Sequence, residues 1–384
     1  MNRTIALLSV FDGISTASLA LISLGIKLAH VVIWETDPDC QAFTKMVWPS
    51  SIVRGDFRSD TADTVVDWIQ KWQAEGIETV IAAAPPCQSF SRILGPKGKG
   101  PDCDEGQKFS DFTKWLLDIE KKLGQKLRIL IENVIPQDTS HAKRMADQLE
   151  ASFVVADASD YKLINRPRLW WTRIKWTRDA RRNDTNISLR QPWSPFDIKV
   201  GNFNGFDKIW LPVQPDDTRD IEVAGGGFLP TAVKTRKRSL ACLTTPADEP
   251  DGRPMPPSKR TYPADTIKRW KDNSRQFAPF HYNENNMMRD CEDQELAKDG
   301  SVTARMRTLK ADEMEVAHHF PHRYTEPMIE SKKRMRALAN SWHVGVARFM
   351  WLLVLLSPAP NKSTPTTNTQ TESAIAGSEA RWPS

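Results

Sequence analysis

The sequence has few features that would connect the chain to a metal, to secretion or to a membrane. Its five cysteines stand far apart, with no C-x-x-C pair and no cysteine–histidine cluster at zinc-finger spacing. We therefore expect no metal site, and we expect a reducing compartment, where thiols stay unpaired. The cysteines are Cys40, Cys87, Cys103, Cys242 and Cys291.

The sequence also lacks a recognisable signal peptide and a long apolar run. The apolar residues 5–10 are too few for the hydrophobic region of a signal peptide and predict a first buried strand. The run 349–356 is far shorter than the roughly 20 residues that cross a bilayer. We therefore predict a buried C-terminal helix and no membrane contact.

Length and composition allow one α/β core with a second lobe. The 384 residues are 40% hydrophobic, which is enough for both. Apolar runs and helical patterns alternate at first, and this predicts a mainly parallel, doubly wound sheet. From about residue 178, proline, glycine and charged residues dominate. We predict a core at 1–177, an inserted lobe with the return to the core at 178–330, a core helix at 331–356 and a disordered tail, rich in Ser, Thr, Pro and Asn, at 357–384.

The predicted elements of the core alternate between strand and helix. Strands are predicted near 5–10, 30–35, 51–55, 78–84, 127–132, 152–156 and 169–175. Helices are predicted over 15–24, 38–46, 61–74, 108–123 and 140–150. Thr61 and Ser140 are the expected N-terminal caps of two of these helices.

Two reactive side chains directly follow predicted strands. Cys87 comes after the apolar run 79–84 and two prolines, and Glu132 ends the run 127–131. Open α/β sheets bind ligands beyond the carboxyl ends of their strands, so the two side chains are expected to face one crevice. The prolines fix φ and make the loop before Cys87 rigid. The alternatives are an inert buried thiol and an exposed carboxylate at a strand end.

A thiol and an acid in one crevice suit addition to a pyrimidine ring. Carbon 5 of cytosine is a poor nucleophile, but a thiolate that adds to carbon 6 turns the ring into an enamine, which can attack an electrophilic methyl group. A carboxylic acid that is hydrogen-bonded to ring N3 relieves the charge that builds up. Burial favours the protonated form of Glu132, which this role requires.

Three successive strand ends suit a nucleotide-like cofactor. The first loop, residues 11–16, is not a G-x-G-x-x-G loop, so it fits a cofactor without phosphate, such as S-adenosylmethionine. Glu35 lies about 22 residues beyond Gly13, the usual distance for an acid that binds ribose hydroxyls. Asp56 could accept a hydrogen bond from the adenine amino group while Phe57 packs on the ring. Taken singly, each feature also has an ordinary structural explanation.

Five short motifs occur in the order found in cytosine-5 DNA methyltransferases, and the chain resembles this family over roughly residues 5–176 and 240–356. The motifs are Phe11-Asp12-Gly13, Pro86-Cys87-Gln88, Glu132-Asn133-Val134, Arg166-Pro167-Arg168 and Asn340-Ser341-Trp342. Residues 7–14, 267–272, 320–325 and 341–344 look most like the de novo type of animals. The resemblance implies a Rossmann-like, S-adenosylmethionine-dependent methyltransferase fold with an inserted target-recognition lobe.

The resemblance also implies roles for single residues. Cys87 is the implied nucleophile and Glu132 the implied partner of cytosine N3. Arg168 is expected to contact the base O2 and the acid, and Arg166 to support the site. The implied cofactor site comprises Phe11, Asp12, Gly13, Ile14, Thr16, Glu35, Asp56 and Phe57, with Asn340, Ser341 and Trp342 closing over the methionine end.

Three positions depart from the family pattern. Ser15 stands where many members have a second glycine, and Ile164 stands where many have a glutamine. Ala339 precedes Asn340 where glycine is common. None of these changes removes a reacting group, so they bear on cofactor affinity and on the rigidity of the site.

Positive charge is concentrated in the predicted inserted lobe. The whole chain carries only +5, but residues 231–275 hold eleven Lys and Arg against five acids, a net +6. Phosphate contacts to DNA are expected there. The alternatives are a solvated basic loop or, for residues 234–238, a nuclear import signal. A cytosine must be flipped out of its stack, or be already unpaired, to reach Cys87. The glycine- and lysine-rich loop 89–107 could close over the base or could be a mobile surface loop.

The sequence therefore predicts an S-adenosylmethionine-dependent DNA cytosine-5 methyltransferase that forms a covalent Cys87–cytosine intermediate. Its expected location is the nucleus in a eukaryote and the cytoplasm or nucleoid otherwise. Two alternatives stay open: a tRNA cytosine-5 methyltransferase, because one branch of the family uses the same motifs on RNA, and a non-catalytic regulatory partner. Such partners typically lose the thiol or the acid, and this chain keeps both. Targeting through a protein partner or self-association is also open.

Overall fold

The computed structural model describes residues 3–87, 90, 103–136, 140–161, 164, 166–176 and 311–360, together with four short segments of the inserted lobe. The basic stretch 231–275, most of the loop 89–107 and the tail beyond residue 360 lie outside the described residues. The predictions made for them stay predictions.

The described core consists of seven strands and eight α-helices. The strands are β1 (Arg3–Val10), β2 (Ile26–Trp34), β3 (Ile52–Arg54), β4 (Glu78–Ala83), β5 (Arg128–Val134), β6 (Ser152–Asp157) and β7 (Pro167–Thr172). The helices are α1 (Thr16–Ser23), α2 (Pro38–Val47), α3 (Ala62–Ala74), α4 (Asp104–Leu123), α5 (Ser140–Gln148), α6 (Ala311–Ala317), α7 (Ser331–Asn340) and α8 (Val344–Leu356).

The seven strands form one sheet in the order β3-β2-β1-β4-β5-β7-β6. Strands β1 to β5 are parallel, while β7 runs antiparallel to both of its neighbours. This confirms the prediction of a mainly parallel sheet. Because β7 is reversed, its first residues lie at the same edge as the last residues of β1 to β5.

Both faces of the sheet are buried. Ile5 and Leu7 of β1 pack in one hydrophobic core with α1 and α8, while Ala6 and Leu8 pack in a second core with α3 and α4. Successive side chains of a strand point to opposite faces, so a strand covered on both sides has apolar residues without alternation. The apolar run 5–10 has this pattern, and the doubly wound arrangement is confirmed.

Several element boundaries differ from the prediction. Strand β2 begins at Ile26, earlier than predicted. Its first half pairs with β1 but is half-exposed and contains Lys27, so it lacks the strong apolar pattern that would predict a strand. Helix α4 begins at Asp104, where the Cys103 sulfur accepts a hydrogen bond from the Gly106 N–H. Thr61 is the N-cap of α3 as predicted, whereas Ser140 is the first residue of α5 itself.

The predicted helix 331–356 is two helices. Helix α7 ends at Asn340, Ser341 is extended, and the Nδ1 atom of His343 accepts a hydrogen bond from the Val346 N–H to cap α8. Within the described part of the chain, Ser331–Leu356 is the one helical stretch that is apolar and long enough for a bilayer. Its most apolar window is 89% buried in the fold. The expected buried helix is thus present, with a break that faces the sheet edge.

Four described strands lie in the range of the predicted inserted lobe, and a fifth, at the end of the core range, pairs with the first of them. Strands β8 (Lys175–Trp176) and β9 (Ile198–Lys199) pair with each other, and β10 (Gly227–Phe228), β11 (Met287–Leu296) and β12 (Val302–Thr308) form an antiparallel sheet. The chain is back in the core at α6, which packs against α7 and whose Ala311, Met314 and Ala317 are buried in the same core as α8.

A buried arginine attaches the end of α8 to the sheet. The Nη1 atom of Arg128 donates to the carbonyl oxygens of Val354 and Ser357, each at 2.7 Å. Its Nε atom donates to Glu78 at 2.6 Å. The last carbonyls of a helix have no partners within the helix, so the guanidinium supplies donors that the fold needs there.

Substitution of Arg128 by Met should therefore lower the free energy of unfolding by about 3 kcal/mol, because buried carbonyl groups lose their donors while the apolar stem is kept. Urea denaturation measures this change. The control is Lys122→Met, which removes an exposed pair with Asp63 and should leave the midpoint unchanged. An Arg128→Met variant as stable as the wild-type protein would contradict this account of the α8 anchor.

Candidate active site

A cavity of about 680 Å³ opens at the edge where β1 to β5 end and β7 begins. This volume is typical of a small-molecule site. Among the described residues, no group of three or more His, Cys, Asp or Glu side chains could hold a metal ion. Every predicted site residue except Ile14 lines the cavity: Phe11, Asp12, Gly13, Thr16, Glu35, Asp56, Phe57, Cys87, Glu132, Arg166, Arg168, Asn340, Ser341 and Trp342.

Glu132 is the acid at the base of this cavity. It is 7% exposed, and its Oε1 atom lies 3.0 Å from the Nε atom of Arg168. In the antiparallel β5–β7 pair, Glu132 stands opposite Trp170, so Arg168 is its diagonal neighbour on the same face. Burial raises the pKa of Glu132, while the charges of Arg168 and Arg166 oppose that rise. The carboxyl group can therefore keep a proton more readily than an exposed one.

Cys87 is half-buried at the cavity wall. Hydrogen bonds hold two residues of the chain just before it. The Ala84 N–H donates to the carbonyl of Val10, and the Asn133 side-chain amide donates to the carbonyl of Pro85 at 3.3 Å. Asn133 directly follows the acid, so β5 positions both Glu132 and the loop that carries the thiol. No role for Asn133 was predicted from the sequence, although its amide stands directly beside the acid in the motif.

Arg166 attaches the α7–α8 junction to the site. It is buried, and its Nη2 atom donates to the carbonyl oxygens of Ala339 at 2.9 Å and Ser341 at 2.7 Å. His318 adds a contact from Nδ1 to the Ser341 hydroxyl at 3.3 Å. This arrangement brings Asn340 and Trp342 to the cavity, because the break between the helices exposes carbonyls that a guanidinium can bind.

The loop between β1 and α1, residues 11–15, is a strained turn. Phe11, Gly13 and Ser15 have φ values of 56°, 60° and 57°, in the left-handed region. Only glycine adopts this region without strain, so Ser15 takes the conformation that a second glycine would provide. The Gly13 N–H donates to Glu35 at 2.8 Å. Ile14, the one predicted site residue outside the cavity lining, is buried beneath this turn.

Glu35 already has three hydrogen bonds to backbone groups. Besides Gly13, its carboxylate accepts from the N–H groups of Thr36 at 2.7 Å and Asp37 at 2.8 Å. A carboxylate has about four acceptor positions, so roughly one remains for a ligand hydroxyl. The predicted contact with ribose stays a prediction that this geometry permits.

Asp56 and Phe57 form the far wall of the cavity. Asp56 pairs with the guanidinium of Arg58, and this hydrogen bond lowers the pKa of the carboxyl group. The ring of Phe57 is buried and packs edge-on against Phe11, with centroids 5.5 Å apart. Arg58 also lines the cavity. It was not among the predicted site residues, although it stands only two positions after the acid.

Comparison with solved structures identifies the fold. Methyltransferase EhMeth of Entamoeba histolytica superposes with a TM-score of 0.52 at 14% identity, over 92% of this chain and 98% of that chain. The chain has a Rossmann-like methyltransferase fold. The Dnmt2 methyltransferase of S. pombe (TM-score 0.47, 15% identity, 92% and 99% covered) and a DNMT2 mutant of Spodoptera frugiperda (0.48, 16%, 91% and 99%) are also similar. No family model matches the chain.

Two buried polar atoms in this methyltransferase fold are available to a ligand. Among the described residues, Asp12 Oδ2 and Thr16 Oγ1 have no hydrogen-bond partner, and both residues line the cavity. The other oxygen of Asp12 accepts from the Ser9 hydroxyl. Burial raises the pKa of Asp12 to about 6, although the hydrogen bond from Ser9 opposes the rise. A ligand with hydrogen-bond donors or positive charge would satisfy these atoms.

The raised pKa of Asp12 predicts a pH-dependent stability. The folded-state pKa of about 6 lies above the ordinary value of 3.8, so the folded protein holds this proton more tightly than the unfolded chain. The stabilising contribution of this proton should therefore be lost as the pH rises from about 4 to about 6. At about 1.4 kcal/mol per pKa unit, the loss amounts to about 3 kcal/mol.

Substitution of Asp12 by Asn should remove this loss, because the amide stays neutral. We expect the difference in unfolding free energy between variant and wild type to move in favour of the variant by about 3 kcal/mol between pH 4 and pH 7. Urea denaturation of both proteins at four pH values measures it. Parallel pH profiles for the two proteins would contradict the burial of a titrating Asp12.

Proposed function

We propose that the protein belongs to the cytosine-5 DNA methyltransferases and transfers a methyl group from S-adenosylmethionine to carbon 5 of cytosine in DNA. One observation carries this proposal: the thiol of Cys87 and the buried acid of Glu132 line the same cavity at the carboxyl edge of a methyltransferase-fold sheet. Arg168 contacts that acid directly. A thiol and an acid held together in this way match the needs of addition to a pyrimidine.

The cavity has the groups that S-adenosylmethionine requires. When bound, this cofactor supplies an electrophilic methyl group. The positive charges of its ammonium and sulfonium groups suit the Asp12 oxygen that has no hydrogen-bond partner among the described residues. The hydroxyl of Thr16 offers a second polar atom. Glu35 retains capacity for ribose hydroxyls, Asp56 and Phe57 form the wall proposed for the adenine, and Trp342 belongs to the junction proposed to close over the methionine end.

The residues of the chain then divide the chemistry on the base. The Cys87 thiolate forms a bond to carbon 6, and the electrons of the C5–C6 double bond make carbon 5 nucleophilic. Glu132 donates its proton toward N3 and so stabilises the charge that moves into the ring. Once carbon 5 carries the methyl group, loss of its proton and departure of the thiolate restore the aromatic ring. Arg168 holds Glu132 in place and offers donors to the base O2.

DNA is the proposed substrate because of the location of charge in the chain. The net +6 of residues 231–275 lies within the inserted lobe, and lysine and arginine clusters are the groups that bind phosphates. Cys87 lies within a cavity, so a cytosine must leave its base stack to reach it. We therefore propose recognition through the lobe, flipping of the target base, and activity in the nucleus or nucleoid.

Incubation of the protein with S-adenosylmethionine and a mixture of duplex DNA and tRNA, followed by bisulfite sequencing of both, tests this function. We expect methylated cytosines in the DNA and none in the tRNA. The matched control is Cys87→Ser, which replaces the sulfur by a much weaker nucleophile and should lower methylation by about 10³-fold or more. Its affinity for DNA should stay within about twofold of the wild type.

The outcomes separate the alternatives. Methylation confined to the tRNA would contradict the DNA substrate and favour an RNA methyltransferase. Substantial methylation by Cys87→Ser would contradict the role of the thiol. No methylation of either nucleic acid by wild-type protein that binds DNA would favour a non-catalytic partner.

A further inference from the structure

The segment between α6 and α7 runs over the cofactor side of the cavity. It includes a 3-10 turn at Glu326–Met328 that packs against α2, and Met328 itself lines the cavity. Three residues of this segment have positive φ values: His319 at 62°, Arg323 at 60° and Ile329 at 58°. Such conformations persist only where the surrounding contacts determine them, and they concentrate at functional sites.

Tyr324 connects this segment to several other parts of the core. Its hydroxyl donates to the carbonyl of Ile14 at 2.9 Å and accepts from the indole N–H of Trp48 at 3.2 Å. Its ring stacks on Phe320, with centroids 5.1 Å apart, and meets Phe43 edge-on at 5.2 Å. The tyrosine therefore connects the returning chain to α2 and to the turn 11–15, more than 300 positions away.

The carbonyl that accepts the hydrogen bond from Tyr324 belongs to the strained turn 11–15. Ile14 lies between Gly13 and Ser15, both in the left-handed region. The carboxylate of Glu35, which follows β2, accepts a hydrogen bond from the Gly13 N–H, and the hydroxyl of Tyr324 donates one to the Ile14 carbonyl. Left-handed non-glycine residues cost of order 1–3 kcal/mol each, so the turn needs such external contacts.

We propose that Tyr324 is a positioning residue that holds the turn 11–15 in the conformation able to bind the cofactor. This inference rests on the proposed function. Tyr324 does not line the cavity, so it acts through the turn and not on the ligand. Loss of its hydroxyl should weaken cofactor binding and leave the reaction on the base, at saturating cofactor, largely unchanged.

The test compares Tyr324→Phe with Tyr161→Phe. The hydroxyl of Tyr161 also donates to a backbone carbonyl in the same core, but to that of Gly345 on α8, at 2.9 Å, and not to one of the turn. Both variants keep the aromatic ring. Tyr324→Phe loses the hydrogen bonds with Ile14 and Trp48, and Tyr161→Phe loses the one to Gly345, so each should lose about 1–2 kcal/mol of stability. Only Tyr324→Phe should change the turn.

Isothermal titration calorimetry with S-adenosylmethionine and S-adenosylhomocysteine measures the effect on binding. We expect the Kd of both compounds to rise about tenfold in Tyr324→Phe and to change less than about twofold in Tyr161→Phe. The kcat at saturating cofactor and the KM for DNA should stay within about twofold of wild type. Hydrogen exchange of the ligand-free protein should show faster exchange at the Phe11 and Gly13 amides in Tyr324→Phe alone.

Equal Kd values for Tyr324→Phe and wild type, with equal amide exchange, would overturn the inference. The same rise in Kd in both variants would also overturn it, because the tyrosine would then serve stability alone. A wild-type protein that binds neither compound would contradict the proposed cofactor, and this result is distinguishable because it does not depend on Tyr324.

Discussion

The contact between Glu132 and Arg168 is the interaction on which the site depends. A carboxyl group with 7% exposure is costly to bury alone, and a guanidinium at 3.0 Å offsets that cost while leaving the pKa of the acid raised. The pair exists because β7 is antiparallel, since a parallel strand would begin at the opposite edge of the sheet. The same reversal places Arg166, two residues earlier, where it binds the α7–α8 junction. One reversed strand thus brings together the acid, its partner and the wall of the cavity.

The cofactor side of the cavity depends on backbone geometry. The turn 11–15 contains two non-glycine residues in the left-handed region, and side chains far along the chain hold it. This turn places Asp12 and Thr16 at the cavity, where one oxygen of each has no hydrogen-bond partner among the described residues. These unsatisfied atoms lower the stability of the ligand-free protein, and a bound ligand can satisfy them. A structure that satisfied all of these groups internally would be more stable, and it would lack a site for a cation with hydrogen-bond donors.

Much of this arrangement could be predicted from local patterns. The apolar run 79–84 before two prolines predicted a strand that ends at a thiol, and the run 127–131 predicted a strand that ends at an acid. The rule that ligands bind beyond the carboxyl ends of strands then placed both residues at one edge. The predicted start of β2 lies too late in the chain, because the first half of this strand is only half-buried and its side chains show no strong apolar pattern.

Contacts between distant segments leave no such pattern. The hydrogen bonds from Tyr324 to Ile14 and from Asn133 to Pro85 depend on how the chain is folded, and no periodicity in the sequence predicts them. The break at Ser341 was missed for the same reason: residues 331–356 are helical in composition on both sides. The break is stabilised by Arg166, which is remote in sequence.

The central claim, that Cys87 attacks a cytosine whose charge Glu132 stabilises, is tested most directly with duplex DNA containing 5-fluorocytosine. Fluorine on carbon 5 cannot leave as a proton does, so the covalent intermediate accumulates in the presence of S-adenosylmethionine. Peptide mapping by mass spectrometry should find the adduct on Cys87, and Glu132→Gln should form it at least about tenfold more slowly. Absence of an adduct on Cys87, or equal rates for wild type and Glu132→Gln, would contradict the account.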